Sequence, residues 1–356
     1  MSALVLLLVG ALLSLDASQR VEPQMPAAAT AQGGPACALM TSGQTAFDEG
    51  HFREAADLFA RAEQDSVATQ DTCSTDAAYR QAQALERLER LSDAESALRR
   101  FLVRSPRSAS ALFLLGSVLQ RENKPKESLE VFTHAAALQP PTPDQLRVVA
   151  LDYVLLDDYF DALHWLRRAV ASDPRNPLAL YDLGRAEMHE GDFVHAEEHF
   201  KQSLALNPHN VRALDNLGLS YEAQNRGEDA LNAYAKAIAL QAGDPHPSEQ
   251  PLLNFGTLLI TRNRASEAIP ILSRAVEIAP SSSHCVEELA RAYRFSGQDV
   301  LSVATMERAV ALDGSNPRLH FQLGQMYRHA GRVQEAKREF KTSSELYGQH
   351  STPDRP

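Results

Sequence analysis

Lysine is scarce in this sequence: only six of the 35 basic residues are lysines, and the rest are arginines. Aromatic residues make up 6% of the chain and Trp165 is the single tryptophan. This composition favours helices packed through alanine and leucine over a β-sandwich or barrel. An excess of positive charge is also missing, because the formal net charge is −11. Nucleic acid and anionic lipid are therefore disfavoured as partners.

Long hydrophobic runs are limited to residues 3–15, ALVLLLVGALLSL. This run is shorter than the roughly 20 residues that span a bilayer, and it is typical of the core of a signal peptide. We assign residues 1–17 as a signal-like segment and residues 18–35 as a flexible leader. We expect an exported protein, periplasmic or secreted. The alternatives are an uncleaved membrane anchor through residues 3–15, or a start methionine placed too late.

Small residues recur with a period of 34, interrupted by one insertion of five residues and one of four. They occupy what we number position 8 of each repeat: Gly43, Ala82, Gly116, Ala150, Gly184, Gly218, Gly256, Ala290 and Gly324. Position 20 is always alanine or serine. Position 24 is always large: Phe59, Leu98, Phe132, Leu166, Phe200, Tyr234, Leu272, Met306 and Phe340.

This pattern predicts a helical hairpin in every repeat. Small residues at positions 8 and 20 let two antiparallel helices approach closely, and the large residue at position 24 fills the space beside them. Proline follows eight residues after position 24 in five repeats, where it ends the second helix. Since one hairpin leaves an apolar face exposed, the hairpins must stack on each other.

The repeat at 177–210 matches the pattern W-x₂-L-G-x₂-Y…A-x₃-F…P at Leu180, Leu183, Gly184, Ala196, Phe200 and Pro208, and departs from it at Glu187. The sequence thus resembles the tetratricopeptide-repeat (TPR) proteins. The resemblance implies an all-α, right-handed α-solenoid, a superhelix of 34-residue helix-turn-helix repeats. The array covers 36–350, before a tail at 351–356. Its nine repeats are 36–69, 75–108, 109–142, 143–176, 177–210, 211–244, 249–282, 283–316 and 317–350.

One segment has the spacing of a zinc site. His195, Glu198 and His199 fit H-x-x-E-H, in which two histidines bind zinc and a glutamate acts as general base. Ala196 and Phe200 hold positions 20 and 24, so we expect both histidines to face outward from the hairpin. A zinc hydrolase is a remote alternative, because the sequence offers no third ligand. With no nucleophile or phosphate-binding motif either, we expect no enzymatic activity and no cofactor.

The three cysteines have different expected roles. Cys37 and Cys73 fall near the same ends of neighbouring leading helices, so in an exported protein a disulfide between them is credible. The alternative is two free thiols. We expect Cys285 to be a small buried apolar residue.

The resemblance implies that positions 2, 5, 6, 9, 12 and 13 of each leading helix line a groove that binds a partner peptide. Nine acidic residues occupy these positions. The cations there are all arginines: Arg80, Arg87, Arg121, Arg147, Arg185, Arg212, Arg291, Arg294, Arg318 and Arg328. Two hypotheses remain open: the arginines recognise a ligand, or they pair with the acids along adjacent helices. The family's carboxylate clamp uses lysine at groove positions, and none of the groove positions of this sequence holds a lysine.

Position 6 of the last five repeats resembles part of the asparagine ladder with which some family members hold a peptide backbone. Apolar groove residues gather earlier, in the third to fifth repeats. The candidate binding residues are Phe113, Arg147, Leu151, Tyr181, Asp182, Arg185, Asp215, Asn216, Asn254, Glu288, Arg291 and Gln322.

The predicted function is a non-enzymatic scaffold or adaptor that binds a peptide or helix of a partner protein. We expect it to work outside the cytoplasm, in envelope assembly or secretion. The alternative is a regulatory or substrate-selecting subunit of an enzyme on another chain, such as a glycosyltransferase.

Overall fold

The computed structural model describes residues 34–69 and 74–350, and these residues form 18 α-helices and no strand. The chain divides into two compact units, residues 1–174 and 175–356. The described part of the N-terminal unit contains eight helices: α1 (Pro35–Asp48), α2 (Phe52–Thr69), α3 (Ala77–Arg87), α4 (Leu91–Arg104), α5 (Ala109–Arg121), α6 (Pro125–Ala136), α7 (Pro143–Leu155) and α8 (Tyr159–Ser172).

The C-terminal unit contains ten helices in its described part: α9 (Pro177–His189), α10 (Phe193–Leu206), α11 (Val211–Ala223), α12 (Gly227–Leu240), α13 (Gln250–Thr261), α14 (Ala265–Ile278), α15 (Ser283–Phe295), α16 (Asp299–Leu312), α17 (Pro317–His329) and α18 (Val333–His350). Each predicted repeat holds one leading and one trailing helix, and α1 begins one residue before its repeat. The predicted all-α fold of about nine helical hairpins is confirmed.

Three predicted segments lie outside the described residues: the signal-like segment at 1–17, nearly all of the leader at 18–35, and the tail at 351–356. Within the part of the chain that is described, none of the helices combines the length and the apolar character needed to cross a membrane.

Each hairpin closes through the contact between positions 8 and 24. A Cβ atom built on Gly116 would lie 2.5 Å from the Phe132 ring, and one built on Gly184 would lie 2.9 Å from the Phe200 ring. Five repeats pair glycine with an aromatic ring, three pair alanine with leucine or methionine, and one pairs Gly256 with Leu272. The two positions thus share one volume, which is why position 8 stays small.

Polar side chains set where the leading helices begin. The residues before six of these helices accept hydrogen bonds from backbone N–H groups of the first turn: Ser108, Thr142, Asn176, Asn210, Ser282 and Asn316. Such caps satisfy donors that the helix itself leaves unpaired. Because the caps recur at the same place in the repeat, corresponding positions of successive leading helices come into register.

Arginine immediately precedes several trailing helices. In four repeats an arginine just before the helix bonds a carboxylate three residues later: Arg90 to Asp93, Arg226 to Asp229, Arg264 to Glu267 and Arg332 to Glu335. The acidic residue lies in the first turn, where the helix dipole favours negative charge. This recurring local pair explains part of the arginine bias in the composition.

The cysteines differ in their surroundings. Cys285 is a free thiol with no exposed surface, and burial raises the pKa of its thiol. The predicted apolar role of Cys285 is therefore confirmed. Cys37 is disulfide-bonded. Its predicted partner Cys73 lies outside the described residues, so the pairing of these two cysteines stays a prediction.

A buried carboxyl group links the third and fourth hairpins. Asp152 and Ser128 are both fully buried, and their side-chain oxygens Oδ2 and Oγ lie 2.6 Å apart. Ser128 Oγ also lies 2.8 Å from the Gly116 carbonyl oxygen. One hydroxyl proton cannot serve both acceptors. A neutral Asp152 that donates from Oδ2 to Ser128 Oγ lets the Ser128 hydroxyl donate to the Gly116 carbonyl oxygen. Burial accordingly raises the pKa of Asp152 to about 7, in spite of the Ser128 hydrogen bond.

The shared volume at positions 8 and 24 gives a double-mutant test. Gly116→Ala should lower the free energy of unfolding by about 1–2 kcal/mol, because overpacking outweighs the gain in helix propensity. Adding Phe132→Leu, which recreates the natural Ala82/Leu98 pair, should recover about 1 kcal/mol of the loss. Gly348→Ala is the control, since no atom lies within 4 Å of its added Cβ. Urea denaturation measures all three, and strictly additive losses would contradict the shared volume.

The raised pKa of Asp152 makes stability depend on pH. Between about pH 4 and pH 7 the folded protein keeps a proton that the unfolded chain releases, so this contribution to stability is present in acid and is lost as the pH rises. Asp152→Asn removes the titration. The free energy of unfolding of this variant minus that of the unmodified protein should therefore rise by about 2–4 kcal/mol from pH 4 to pH 8.

Denaturation across this pH range measures the difference. Asp157→Asn removes an exposed carboxyl group from the same hairpin and serves as the control for losing one charge. If the difference in free energy of unfolding between Asp152→Asn and the unmodified protein does not change with pH, Asp152 is ionised in the folded protein.

Candidate protein-binding face

The leading-helix face of the C-terminal unit carries a ladder of hydrogen bonds between successive repeats. Asn216 Nδ2 donates to the Tyr181 hydroxyl at 3.2 Å, and Gln322 Nε2 donates to Glu287 Oε1 at 2.8 Å. Asn254 Nδ2 donates to Asp215 Oδ1 at 2.9 Å. In every case position 6 of one repeat reaches position 5 of the repeat before it. The side chains predicted to bind a peptide backbone are therefore already bonded within the chain.

Acidic side chains form the floor of this face. Glu287 and Glu288 are only 1% and 3% exposed, and Asp182 and Asp215 are also buried. Burial alone would raise the pKa of Glu287, but the nearby His284, a hydrogen bond from Gln322 and the charge of Arg318 lower it. For Asp215 only the hydrogen bond from Asn254 opposes the effect of burial, and burial raises the pKa of Asp215 to about 6. The face thus contains carboxylates that solvent barely reaches.

Arginines lie above these acids. Both terminal nitrogens of Arg318 donate to Glu287, at 2.6 and 2.7 Å, and Arg291 Nη1 bonds both oxygens of Glu288 at similar distances. The guanidinium of Arg185 lies 3.8 Å from Asp182. For these three arginines the pairing hypothesis holds. Truncating Arg291 or Arg318 would remove the two-bond arginine partner of a buried carboxylate, which is costly.

On the leading-helix face of the N-terminal unit, apolar candidate residues lie beside ion pairs such as Arg80–Asp76 and Arg121–Glu86. Phe113 is 3% exposed and its ring lies 5.8 Å from that of Phe132, so most of this candidate side chain belongs to the core. Leu151 and Arg147 are half-buried. Beside Phe113 is a cavity of about 350 Å³, whose other lining residues are Tyr79, Ser110, Leu114, Ser117, Gln139 and Gln145.

Most of the cavity-lining residues were not candidates from the sequence. Tyr79, Ser110 and Ser117 lie at positions 5, 2 and 9 of their repeats, which are groove positions. Reading every groove position for apolar and small polar residues, rather than for charge and amides, would have found them. Gln139, in contrast, lies in the connection after α6 and has no groove position.

The H-x-x-E-H segment does not assemble a metal site. His195 Nδ1 lies 2.7 Å from Asp192 Oδ2, and His199 Nδ1 lies 2.7 Å from Glu187 Oε2. The expectation that both histidines face outward is wrong for His199, which turns inward to a buried glutamate. That glutamate replaces the tyrosine of the repeat pattern. Nowhere in residues 34–69 and 74–350 do three metal-binding side chains cluster.

Sequence comparison finds repeat families along most of the array. The family described as "Cilia and flagella-associated protein 70 middle TPR-like domain" matches residues 146–346, and the family "Tetratricopeptide repeat" matches residues 79–143. The first match alone covers more than half of the chain.

Curated relatives are distant. "BBSome complex member BBS4" from Bos taurus is 22% identical over 228 residues, 64% of this chain and 43% of that protein. "TPR repeat-containing protein YpiA" from Bacillus subtilis (strain 168) is 22% identical over 215 residues, 60% of this chain and 50% of that protein. The human "Protein O-mannosyl-transferase TMTC1" is 25% identical over 174 residues, 48% of this chain and 19% of that protein. The chain spans half or less of the length of these relatives.

Solved structures show the same fold. A tetratricopeptide-repeat protein from Parabacteroides merdae ATCC 43184 superposes with a TM-score of 0.54 at 15% identity, over 76% of this chain and 98% of that one. PilW, described as a widely conserved type IV pilus biogenesis factor, superposes with a TM-score of 0.52 at 21% identity, over 60% of this chain and 95% of that one. From its helical hairpins and these matches, the chain belongs to the tetratricopeptide-repeat proteins, in the family of the cilia and flagella-associated protein 70 middle TPR-like domain.

Proposed function

We propose that the chain is a non-enzymatic scaffold whose leading-helix faces bind segments of partner proteins. The observation that carries this proposal is the cavity on the N-terminal unit. Its volume of about 350 Å³ lies at the lower end of the range for binding pockets. Residues from three successive leading helices line it, so it is a product of the stacking of the repeats.

The chemistry of the cavity suits an apolar side chain on an extended backbone. Tyr79, Phe113 and Leu114 supply apolar walls, and Ser110 supplies a hydroxyl group that can bond a peptide backbone. The Ser117 hydroxyl donates to the Phe113 carbonyl oxygen and can still accept a hydrogen bond from a backbone N–H. The Tyr79 ring lies 5.5 Å from that of Phe101, and its hydroxyl accepts a hydrogen bond from Gln83 Nε2. These contacts hold the ring in place before a ligand arrives, which lowers the entropy cost of binding.

We further propose that the protein works outside the cytoplasm, in envelope assembly or secretion. The apolar run at residues 3–15 and the disulfide-bonded Cys37 support an oxidising compartment. The groove would then hold its partner in the periplasm or in the secreted state.

A second candidate function is that of a regulatory or substrate-selecting subunit of an enzyme on another chain. The match to the human protein named as an O-mannosyl-transferase favours it. In this role the leading-helix face would still bind a protein segment, but that segment would belong to the enzyme or to its substrate.

Filling the cavity tests the proposed function. Selection from a displayed library of random peptides should yield peptides that contain a large apolar residue. Ser110→Trp places an indole at the rim of the cavity and should weaken their binding at least about tenfold, because that residue loses its pocket. Fluorescence anisotropy measures the affinity, and thermal unfolding checks that the fold is intact.

Val103→Trp is the matched control. Val103 is 83% exposed on the trailing helix α4 and does not line the cavity, so the affinity should not change. If the library yields no binding peptide, or if all three proteins bind the selected peptides equally, the proposed groove function is wrong.

A further inference from the structure

Two arginines at the C-terminal end of the array differ from their neighbours. Arg294 and Arg328 occupy position 12 of the last two repeats, in the final turns of α15 and α17. Among the described residues neither forms an ion pair with a carboxylate. Arg294 Nη1 makes one long hydrogen bond of 3.5 Å to Gln325 Oε1. These guanidinium groups therefore retain most of their hydrogen-bond donors.

The carboxylates near these arginines are engaged elsewhere. Glu287 and Glu288 pair with Arg318 and Arg291. In the surrounding helices Asp299 pairs with His329, Glu307 bonds Tyr327 and Arg332, and Glu339 bonds His320. The acids at the groove positions of these two repeats are thus buried and paired, while two positive charges stay uncompensated at the surface.

Aromatic rings accompany both guanidinium groups. The Arg294 guanidinium lies 5.5 Å from the centre of the Phe295 ring, and that of Arg328 lies 5.7 Å from the centre of the Phe340 ring. Phe295 is 58% exposed. Phe321 is 47% exposed and packs on Phe340, with ring centres 5.5 Å apart. A guanidinium within about 6 Å of a ring centre is attracted to the ring and keeps its N–H donors for other partners.

The two guanidinium groups lie close enough to act together. Arg294 reaches Gln325, and Gln325 precedes Arg328 by three residues on the same helix, a separation of about 5–6 Å between Cβ atoms. The two charges therefore lie within reach of one short peptide. In a polyproline II segment, residues three apart lie on the same side and about 9 Å from each other.

We propose that Arg294 and Arg328 bind two carboxylate side chains, three residues apart, in an extended acidic segment of a partner protein. The proposal rests on the proposed function, since it names the partner chemistry for one part of the leading-helix faces. Each arginine offers a carboxylate two parallel N–H donors. Phe295 and Phe321 provide apolar surface for the residues beside the acids.

Peptide selection followed by affinity measurement tests the proposal. Peptides selected on the full chain should be enriched in two acidic residues three apart. An enriched peptide, synthesised with both termini blocked, should bind at least about tenfold more tightly than the same peptide with glutamine at the two acidic positions. Blocked termini exclude recognition of a terminal carboxylate.

Matched protein variants locate the site. The double variant Arg294→Ala and Arg328→Ala should lose at least about tenfold in affinity for the acidic peptide. Lys337→Ala with Arg338→Ala removes the same charge from exposed positions of α18 and should bind like the unmodified protein. Arg294→Lys with Arg328→Lys keeps the charge without the planar donor pair, so it should recover only part of the affinity. Thermal unfolding verifies that each variant is folded.

The outcomes separate this proposal from the proposed function. Selected peptides without paired acids would overturn the arginine proposal and leave the groove function standing. Equal loss of affinity in the arginine double variant and in the Lys337/Arg338 control would also overturn it, because bulk charge would then explain binding. If no peptide is selected at all, both proposals fail.

Discussion

The close contact between positions 8 and 24 is the constraint on which the rest of the structure depends. The ring of Phe132 or Phe200 occupies space that even one methyl group at position 8 would invade. This contact sets the separation of the two helices in a hairpin. It thereby sets which side chains of the leading helix remain on the outer side to contact the next repeat or a ligand.

Once hairpins of one geometry stack, charges recur at fixed separations and can pair between repeats. Lys124 bonds Glu95 and Arg226 bonds Glu197, and both pairs join position 16 of one repeat to position 21 of the repeat before it. Together with the local arginine pairs before the trailing helices, such contacts account for many guanidinium groups. The arginine bias is therefore mainly structural, and it identifies a binding site only where no acid is left to pair.

The sequence predicted the fold well because the period of 34 and the small residues at positions 8 and 20 are local constraints that recur in all nine repeats. Side-chain partners were less predictable. The charge count at the groove positions was nearly balanced, but only the structure separates buried Glu287 and Glu288 from the arginines above them. Similarly, the inward turn of His199 follows from Glu187, a departure from the repeat pattern whose partner the spacing alone did not reveal.

Burial of the acids changes what the leading-helix face can recognise. An arginine that compensates a buried carboxylate cannot turn to a ligand without taking its positive charge away from that carboxylate, and the cost would oppose binding. Arg318 and Arg291 are constrained in this way. Arg294 and Arg328 compensate no buried carboxylate, so when they bind an acid they only exchange bound water for the ligand's carboxylate. The same pairing that stabilises the array thus restricts recognition to the arginines that stability does not need.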